Sequence, residues 1–364
     1  MKKLAMIGCG GIGNYHLGHF LKYEDVILAG FCDIIYKKAA GFAERVNSAN
    51  AEKNKDVAAA KAFADFREMY DEIKPDMVFI CIPPSEHGEI EFETIRRGIP
   101  FFVEKPVALS MQLARKISAE VKKTGLITAV GFQCRYSNLV DPNLDYLKEN
   151  EAVFVDCIRM GGIPDTPWWK IRSLSGGQIV EQTVHQFDII RYVFDEPETV
   201  FSMGARGFVK DVEGYDTEDL STTVVRFRNG ALATISTGCY ASSGSAADSK
   251  ITFSCRDSRA ELKILGTLQL FGTSPAPAVD MVKDGKDGFV VKGDGALKEI
   301  KAGPVIFRDD KTAGVICDRT FIDAVISGDG SKIRSPYEDA VKTLAFVLAC
   351  NESIDTGKPV NIVI

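Results

Sequence analysis

The stretch Gly8-Cys9-Gly10-Gly11-Ile12-Gly13 follows a short apolar run and precedes a segment with helical spacing. It has the spacing G-x-G-x-x-G, which between a strand and a helix is typical of dinucleotide binding. The first glycine permits a tight turn, the second lets the backbone approach a pyrophosphate, and the third lets the helix close on the sheet. The helix N-terminus would supply amide donors. The predicted cofactor contacts are therefore Gly8, Gly10, Gly11, Ile12 and Gly13.

An acidic residue, Asp33, ends the second predicted strand, 20 positions after Gly13. A carboxylate at this place accepts hydrogen bonds from ribose hydroxyls and repels a 2′-phosphate, so it favours NAD over NADP. Lys37 and Lys38 follow closely and keep NADP open as a second cofactor. The alternative interpretation is an unliganded glycine-rich turn, with Asp33 as a helix cap.

The surrounding sequence alternates short apolar runs with helical patterns, which indicates a doubly wound parallel sheet. We predict strands over 4–7, 26–32, 77–82, 101–103 and 127–130, and helices over 14–21, 37–47, 85–97 and 110–124. The last helix is the clearest, because Ser110 can cap its N-terminus and Gly125 can adopt the left-handed conformation after its end.

The pattern changes after about residue 130 to longer alternating strands. Asn229-Gly230 lies between apolar runs over 222–227 and 231–236, which predicts a hairpin in a mostly antiparallel sheet. Residues 274–303 are rich in Gly, Pro, Asp and Lys, so we predict loops and short edge hairpins there. A helical pair is predicted over 319–326 and 336–356. The fold class is therefore α/β, with a first domain over 1–130 and an α+β second domain with an open sheet over 131–364.

Composition excludes several classes of protein. The 364 residues are 45% hydrophobic and 26% charged, as in ordinary globular proteins, and this length favours two domains. The net charge of −6 comes with no basic stripe, so no nucleic-acid partner is expected. No window approaches the ~18 apolar residues of a membrane span. Nine cysteines scattered singly predict reduced thiols and a cytoplasmic location.

The four histidines show no ligand spacing with carboxylates, so no metal site is predicted and a metal hydrolase is disfavoured.

Two turns follow predicted parallel strands, whose carboxyl ends line the ligand crevice of such sheets. Glu104-Lys105-Pro106 comes after the strand over 101–103, so Lys105 is expected near the reactive end of the cofactor. A lysine there can stabilise negative charge on a substrate oxygen. In the other turn, Pro83-Pro84 predicts a rigid wall of the cofactor cleft. His87, in the first turn of the following helix, is a candidate cofactor contact, and the alternative is that it contacts only neighbouring residues.

The stretch 175–188 carries a second candidate group. If it is helical from about residue 179, Glu181 and His185 are neighbours at i and i+4, with Asp188 one turn further. An imidazole beside a carboxylate can serve as a general base near neutral pH. The alternative is a structural histidine.

Taken in order, these motifs resemble the glucose-fructose oxidoreductase/inositol dehydrogenase family, known as Gfo/Idh/MocA. The resemblance rests on 8–13 with Asp33, on 104–106, on Val130-Gly131-Phe132-Gln133-Cys134-Arg135-Tyr136, on 176–188 and on the pattern over 337–359. It implies an N-terminal Rossmann domain and a C-terminal domain whose open sheet mediates oligomerisation, as a homodimer or homotetramer. It also implies reversible, NAD(P)-dependent oxidation of a hydroxyl group on a sugar, inositol or related polyol.

The family's functional residues can be placed on this sequence by their motifs. The resemblance implies that Lys105 and His185 are catalytic and contact substrate, with Glu181 where the family often has Asp. Glu104 and Lys105 would also contact the cofactor. The resemblance further implies cofactor contact by Trp169 and substrate contacts by Trp168, Arg135 and Tyr136.

The expected function is an NAD-dependent dehydrogenase in which His185, oriented by Glu181, removes the hydroxyl proton while Lys105 holds the oxygen. Two other interpretations stay open at this point. One is a family member that retains its nucleotide for redox-assisted glycoside cleavage or epimerisation. The other is a non-catalytic regulator that binds nucleotide or sugar.

Overall fold

The apolar run before the glycine-rich turn forms a central strand of a parallel sheet in the computed structural model. The structure describes residues 1–54, 56–272 and 303–363, so the loops predicted within 274–302 lie outside the described residues. The first part of the chain has strands β1 (Lys2–Ile7), β2 (Val26–Cys32), β3 (Lys61–Phe63), β4 (Met77–Ile80), β5 (Phe101–Val103) and β6 (Thr128–Val130). Its helices are α1 (Gly11–Phe20), α2 (Tyr36–Glu52), α3 (Phe66–Ile73), α4 (Glu89–Arg96) and α5 (Met111–Thr124).

This first sheet has the order β3-β2-β1-β4-β5-β6, and all of its pairs are parallel. The five predicted strands are present, and the doubly wound sheet is confirmed. Strand β3 was not predicted, because it has only three residues and one fully buried side chain. The predicted ends of α5 are confirmed as well: Ser110 accepts a hydrogen bond from the Leu113 amide, and Gly125 has φ +66°.

A second, larger sheet occupies the rest of the chain. Its strands are β7 (Ala152–Met160), β8 (Pro197–Ala205), β9 (Leu220–Phe227), β10 (Leu232–Gly238), β11 (Asp248–Cys255), β12 (Arg259–Lys263), β13 (Thr267–Phe271), β14 (Val305–Arg308) and β15 (Val360–Asn361). The helices are α6 (Val140–Glu149), α7 (Arg172–Ser175), α8 (Val184–Val193), α9 (Ala313–Ser327) and α10 (Tyr337–Thr356). The nine strands are ordered β14-β13-β12-β11-β7-β10-β9-β8-β15.

The second sheet is mostly antiparallel, as the sequence predicts, with one parallel pair between β7 and β10. The hairpin at Asn229-Gly230 joins β9 to β10, and Gly230 has φ +88°. One face of the sheet packs against α8 and α10. In β9 the side chains alternate between buried and exposed, so the other face is open. Within the described ranges, no helix combines the length and apolarity needed to cross a bilayer.

The C-terminal helices return to the first domain. Cys317, Phe321 and Ile322 of α9 belong to the same buried cluster as Phe79 and Phe102 of the parallel sheet. The rings of Phe79 and Phe321 meet edge to face, with centroids 5.4 Å apart. The first domain is therefore completed by side chains that lie nearly 200 positions after β6.

A buried ion-pair cluster joins the segment after β6 to α8 and α10. The Arg135 side chain is fully buried, and its Nε and Nη2 donate to both oxygens of Asp188 at 2.8 and 2.5 Å. Its Nη1 donates to Asp339 and to the Arg334 carbonyl. Thr343 donates to Asp188 at 2.7 Å. Because every charge in the cluster has a partner, the cluster can lie inside the core.

We expect Asp188→Asn to lower the free energy of unfolding by about 3 kcal/mol, because Arg135 then loses a buried carboxylate partner. Urea denaturation measures this change. Asp145→Asn is the matched control, since Asp145 forms an ion pair with Lys148 in which both side chains are over 70% exposed. A loss for Asp188→Asn no larger than that of the control would contradict the prediction.

Candidate active site

The glycine-rich turn has a geometry that accepts a dinucleotide. Gly8 has φ +90°, and a Cβ there would lie 2.0 Å from the carbonyl oxygen of Cys81. A Cβ on Gly13 would lie 2.3 Å from the Gly8 carbonyl oxygen, so α1 can close on the sheet only with glycine at this place. A Cβ on Gly10 or Gly11 would meet nothing within 4 Å. The first amides of α1 lack intrahelical acceptors and therefore stay available to phosphate oxygens.

Asp33 lies beside this turn, where its carboxylate is held by two backbone amides. The Cys9 amide donates to Oδ2 at 2.9 Å, and the Ile35 amide donates to Oδ1 at 2.8 Å. The side chain stays partly exposed, so its remaining lone pairs can accept from ribose hydroxyls. These residues fit an NAD molecule with its pyrophosphate at the N-terminus of α1. Ile12, in the first turn of α1, is 38% exposed.

The turn after β4 lies against the glycine loop, because the Cys81 amide donates to the Ile7 carbonyl. Pro83 is partly exposed there, as the expected wall of the cleft requires. For His87 the structure shows the local contact that the sequence left open, and contact with the cofactor stays a prediction. Its side chain is fully buried, and its Nδ1 bonds to Glu91 at 2.6 Å. Glu91 also accepts from the Gly88 amide at the start of α4, so this pair stabilises a helix start.

Lys105 follows β5, and its ammonium reaches across to the second domain. Its Nζ donates to the Glu181 carboxylate at 2.8 Å and to the Glu181 carbonyl at 2.9 Å. The other carboxylate oxygen of Glu181 accepts from the indole of Trp169 at 2.6 Å. Burial lowers the pKa of Lys105, but Glu181 and Glu104 more than offset this and raise it. Lys105 is therefore a charged donor at neutral pH.

The expected pairing of Glu181 with His185 is wrong. Residues 178–183 form turns, and α8 begins at Val184, so the two side chains do not share a helix face. Glu181 instead bonds to Lys105 and Trp169. The Nδ1 atom of His185 is buried and has no hydrogen-bond partner. Burial, followed by the positive charges of Lys105 and Arg159, lowers the pKa of His185 to about 3.

Glu104 was expected to contact the cofactor. Its carboxylate instead lies in a buried row of charged side chains. It bonds to Nε2 of His16 at 3.0 Å, and Nδ1 of His16 bonds to Asp318 at 2.9 Å. Asp318 also bonds to His19 at 2.6 Å. Burial alone would lower the pKa of His16, but Asp318 and Glu104 raise it to about 10.

The contacts of His16 and His19 correct the expectation that no histidine lies close to carboxylates. Ligand atoms of His16, His19 and Asp318 lie within 4.8 Å of one another. In the structure these groups bond to one another, because the carboxylate of Asp318 is shared by the imidazoles of His16 and His19 at 2.9 and 2.6 Å.

Three expected ligand contacts are contradicted by burial. Arg135 is fully buried, with its guanidinium bound to Asp188 and Asp339, because 133–136 form a 3₁₀ helix that turns inward. The hydroxyl of the buried Tyr136 accepts from the Arg334 amide at 2.9 Å. Trp169 is 1% exposed and is committed to Glu181, so it supports that carboxylate and does not face a cofactor. Trp168 is partly exposed, and its substrate contact stays a prediction.

Sequence reasoning missed Arg159 at the end of β7 and Cys239 just after β10. Arg159 donates to the Gly238 carbonyl at 3.2 Å and contacts the Cys239 sulfur at 3.4 Å. The alternation of β7 places Arg159 on the face of Val155 and Cys157. The alternation of β7 could be predicted from the sequence. The parallel pairing that brings β10 beside β7 could not.

Comparison with known proteins decides the family. Residues 2–132 match the model of an oxidoreductase family with an NAD-binding Rossmann fold, and residues 151–268 match the GFO/IDH/MocA C-terminal domain. The chain belongs to the GFO/IDH/MocA family. Its first domain is thus an NAD-binding Rossmann domain.

Several relatives of this family are similar to the chain. The myo-inositol 2-dehydrogenase of Thermotoga maritima is 27% identical over 241 residues, which are 64% of this chain and 67% of the relative. The D-glucoside 3-dehydrogenase of Escherichia coli is 24% identical over 255 residues, which are 65% of this chain and 69% of the relative. A solved structure from gentamicin A biosynthesis, in complex with NAD, superposes with a TM-score of 0.73 at 19% identity, covering 100% of this chain and 97% of that one.

In this member of the GFO/IDH/MocA family, we expect His185 to stay neutral at every pH down to about 5. An ordinary imidazole is half protonated near pH 6.5, whereas burial and two nearby cations disfavour the imidazolium here. Only four histidines contribute to the NMR spectrum, so single substitutions can assign it.

Lys105→Met should raise the pKa of His185, because it removes a positive charge. Lys122→Met is the control, since Lys122 is 75% exposed on α5 and should leave the titration unchanged. A His185 signal that titrates near pH 6.5 in the unaltered protein would refute the assignment.

Proposed function

We propose that this protein oxidises a secondary hydroxyl group of a sugar, inositol or related polyol with NAD, and that Lys105 and His185 are its catalytic residues. The observation that carries the proposal is the hydrogen bond from Lys105 to Glu181 across the two domains. His185 lies in the first turn of α8, just after the turns that carry Glu181, and the charge of Lys105 helps to lower its pKa. Lys105 is the second residue after β5 of the NAD-binding sheet, at the edge where ligands of such sheets bind. The relatives named as inositol and glucoside dehydrogenases support the substrate class.

The two side chains have complementary charge states. A neutral imidazole can accept the hydroxyl proton of the substrate, whereas an imidazolium could not. The ammonium of Lys105 donates to the same oxygen and stabilises its negative charge as the proton leaves. NAD held by the glycine-rich turn and Asp33 would supply the hydride acceptor for this oxidation.

Glu181 has a positioning role in this proposal. Its carboxylate holds the ammonium of Lys105 at 2.8 Å, and Trp169 fixes the carboxylate in turn. Its backbone carbonyl accepts from the same ammonium, so the turn over 178–183 and the side chain act together. The difference from the expected mechanism is that Glu181 orients Lys105 and not His185.

Lys105→Met and His185→Ala should each lower kcat on sugars and cyclitols by about 100-fold or more, since each removes a group that acts on the proton or the oxygen. NAD reduction across a panel of these compounds measures kcat. The affinity for NAD should stay within about threefold, because the glycine loop and Asp33 are untouched. Lys122→Met provides the control, and unchanged turnover in both variants would exclude these roles.

The proposed location is the cytoplasm. All nine cysteines are free thiols, and eight of them are buried. Burial raises the pKa of the Cys9 thiol to about 12, so even the cysteine inside the glycine loop is unreactive. Unpaired thiols in this number are typical of a reducing compartment.

The proposed oligomer is a homodimer or homotetramer formed through the open face of the second sheet. Exposed apolar side chains cluster on its central strands, and β8, β9, β10 and β7 lie side by side. They include Phe201 and Met203 of β8, Val224 of β9, Leu232 of β10 and Phe154 of β7. Phe201 is directly opposite Val224, and Leu232 is opposite Phe154. A contiguous apolar patch of this kind marks a protein interface, and a second copy presents the same surface.

Val224→Glu should therefore yield a monomer in light scattering coupled to size-exclusion chromatography, because a charge would be buried in the interface. Val224 is 46% exposed in the single chain, so the fold itself should tolerate the change. Ile326→Glu is the control, since Ile326 is 42% exposed on α9, away from this sheet. If both variants keep the mass of the unaltered protein, this face is not the interface.

A further inference from the structure

Arg159 lies near the C-terminal end of β7, on the face of the second sheet that packs against the helices. Val155 and Cys157, which precede it at two-residue steps, are buried in the core. Arg159 is opposite Thr237 of β10 and Ser249 of β11, one step beyond that core. Arg159 is only partly buried, in contrast to Val155 and Cys157.

The guanidinium of Arg159 has few partners. Its Nη1 donates to the Gly238 carbonyl at 3.2 Å and contacts the Cys239 sulfur at 3.4 Å. In the described part of the chain, no carboxylate oxygen lies within 4.0 Å of it. An arginine has five N–H donors in a planar fork, so most of these donors remain for a ligand.

The charges around Arg159 do not cancel. Lys105 is neutralised by Glu181, and the buried Arg135 by Asp188 and Asp339. His185 is uncharged, and its pKa is depressed partly by Arg159 itself. The structure links the two regions as well: Nε2 of Gln178, in the turns that precede α8, donates to Oγ1 of Thr237 at 3.1 Å, and Thr237 is opposite Arg159. The carboxylates of Glu181 and Glu218, which also act on the neighbouring Cys239, are already bound to other side chains, so within the described residues Arg159 has no ion-pair partner.

The position of this charge is fixed by a glycine. A Cβ on Gly161 would lie 2.8 Å from Cζ and Nη1 of Arg159 and 2.9 Å from Nη2, so the guanidinium rests against the Gly161 backbone. Gly161 is itself held by hydrogen bonds with Gly238 and Ala241. The backbone of Gly161 and the end of β10 therefore fix the position of the guanidinium.

We propose that Arg159 binds an anionic group of the substrate, and hence that the substrate is an acidic sugar or cyclitol derivative carrying a carboxylate or a phosphate. This inference rests on the proposed function and narrows its substrate class. A carboxylate or phosphate can accept two parallel hydrogen bonds from the guanidinium fork. The bound anion would also screen the imidazole of His185 from a positive charge and so make it a better base.

The test compares sugars that differ only in the anionic group. Glucose, glucuronate and glucose 6-phosphate form one set, and galactose with galacturonate forms a second. For each sugar, kcat/KM is measured with saturating NAD, and the dissociation constant is measured by calorimetry on the enzyme–NAD complex. The two acidic members of the first set distinguish a carboxylate from a phosphate.

Three variants separate the charge, the shape and the position of the Arg159 guanidinium. Arg159→Gln removes the charge, and Arg159→Lys keeps the charge without the planar fork. Gly161→Ala keeps Arg159 but displaces its guanidinium, and it leaves the chemistry of the site otherwise intact. Arg228→Gln is the matched control, because Arg228 is exposed in the hairpin turn between β9 and β10. NAD affinity and thermal unfolding show that each variant is folded.

We expect the unaltered enzyme to prefer an acidic sugar over its neutral partner in affinity and in kcat/KM. Arg159→Gln should reduce that preference on the order of 10- to 100-fold, as expected for charge-assisted hydrogen bonds. Gly161→Ala should reduce it in the same direction, and Arg228→Gln should not change it.

Two results would overturn the inference. The first is equal affinity for acidic and neutral partners in the unaltered enzyme, and the second is a preference that survives Arg159→Gln. If the unaltered enzyme oxidises neutral sugars but shows no such preference, the inference fails and the proposed function stands. If it oxidises none of the sugars, the proposed function fails, and the calorimetric comparison still decides whether Arg159 binds an anion.

Discussion

Glu104 and Lys105 are neighbours in the sequence, but partners from opposite parts of the molecule neutralise them. Glu104 bonds to His16 inside the first domain, and Lys105 bonds to Glu181 of the second. Because both side chains are largely buried, neither charge can be left without its partner. The turn after β5 is therefore fixed by one ion pair to the first domain and one to the second. The glycine loop, the domain interface and the placement of the proposed catalytic ammonium all depend on this pair of contacts.

The sequence was most informative where local chemistry determines the structure. The glycine spacing, the cap of α5 by Ser110 and the parallel strands were predictable, because backbone sterics and hydrophobic patterning act over short distances. Lys105 could also be placed at the ligand edge of the sheet, since it is the second residue after β5. The resemblance to a known family then allowed predictions for the second domain and for the NAD cofactor.

The partners of the charged side chains were not predictable. Glu181 was assigned to His185 on the assumption of a helix, but Gly176 and Gly177 adopt positive φ, and turns continue to Thr183. Arg135 and Tyr136 were placed at the substrate, although the chain there coils inward. The true partners of Arg135 lie 53 and 204 positions away, a separation at which spacing carries no information.

The bond between His16 and Asp318 joins residues 302 positions apart and has a consequence for synthesis on the ribosome. The nucleotide-binding domain cannot complete its buried network when β6 emerges, because α9 has not been made. At roughly 5–20 residues per second, the nearly 190 residues between Val130 and Asp318 take about 10–40 s to translate. During that interval the apolar side chains that α9 later covers are exposed on the nascent chain. This interval is a window in which a chaperone would be expected to bind the N-terminal domain.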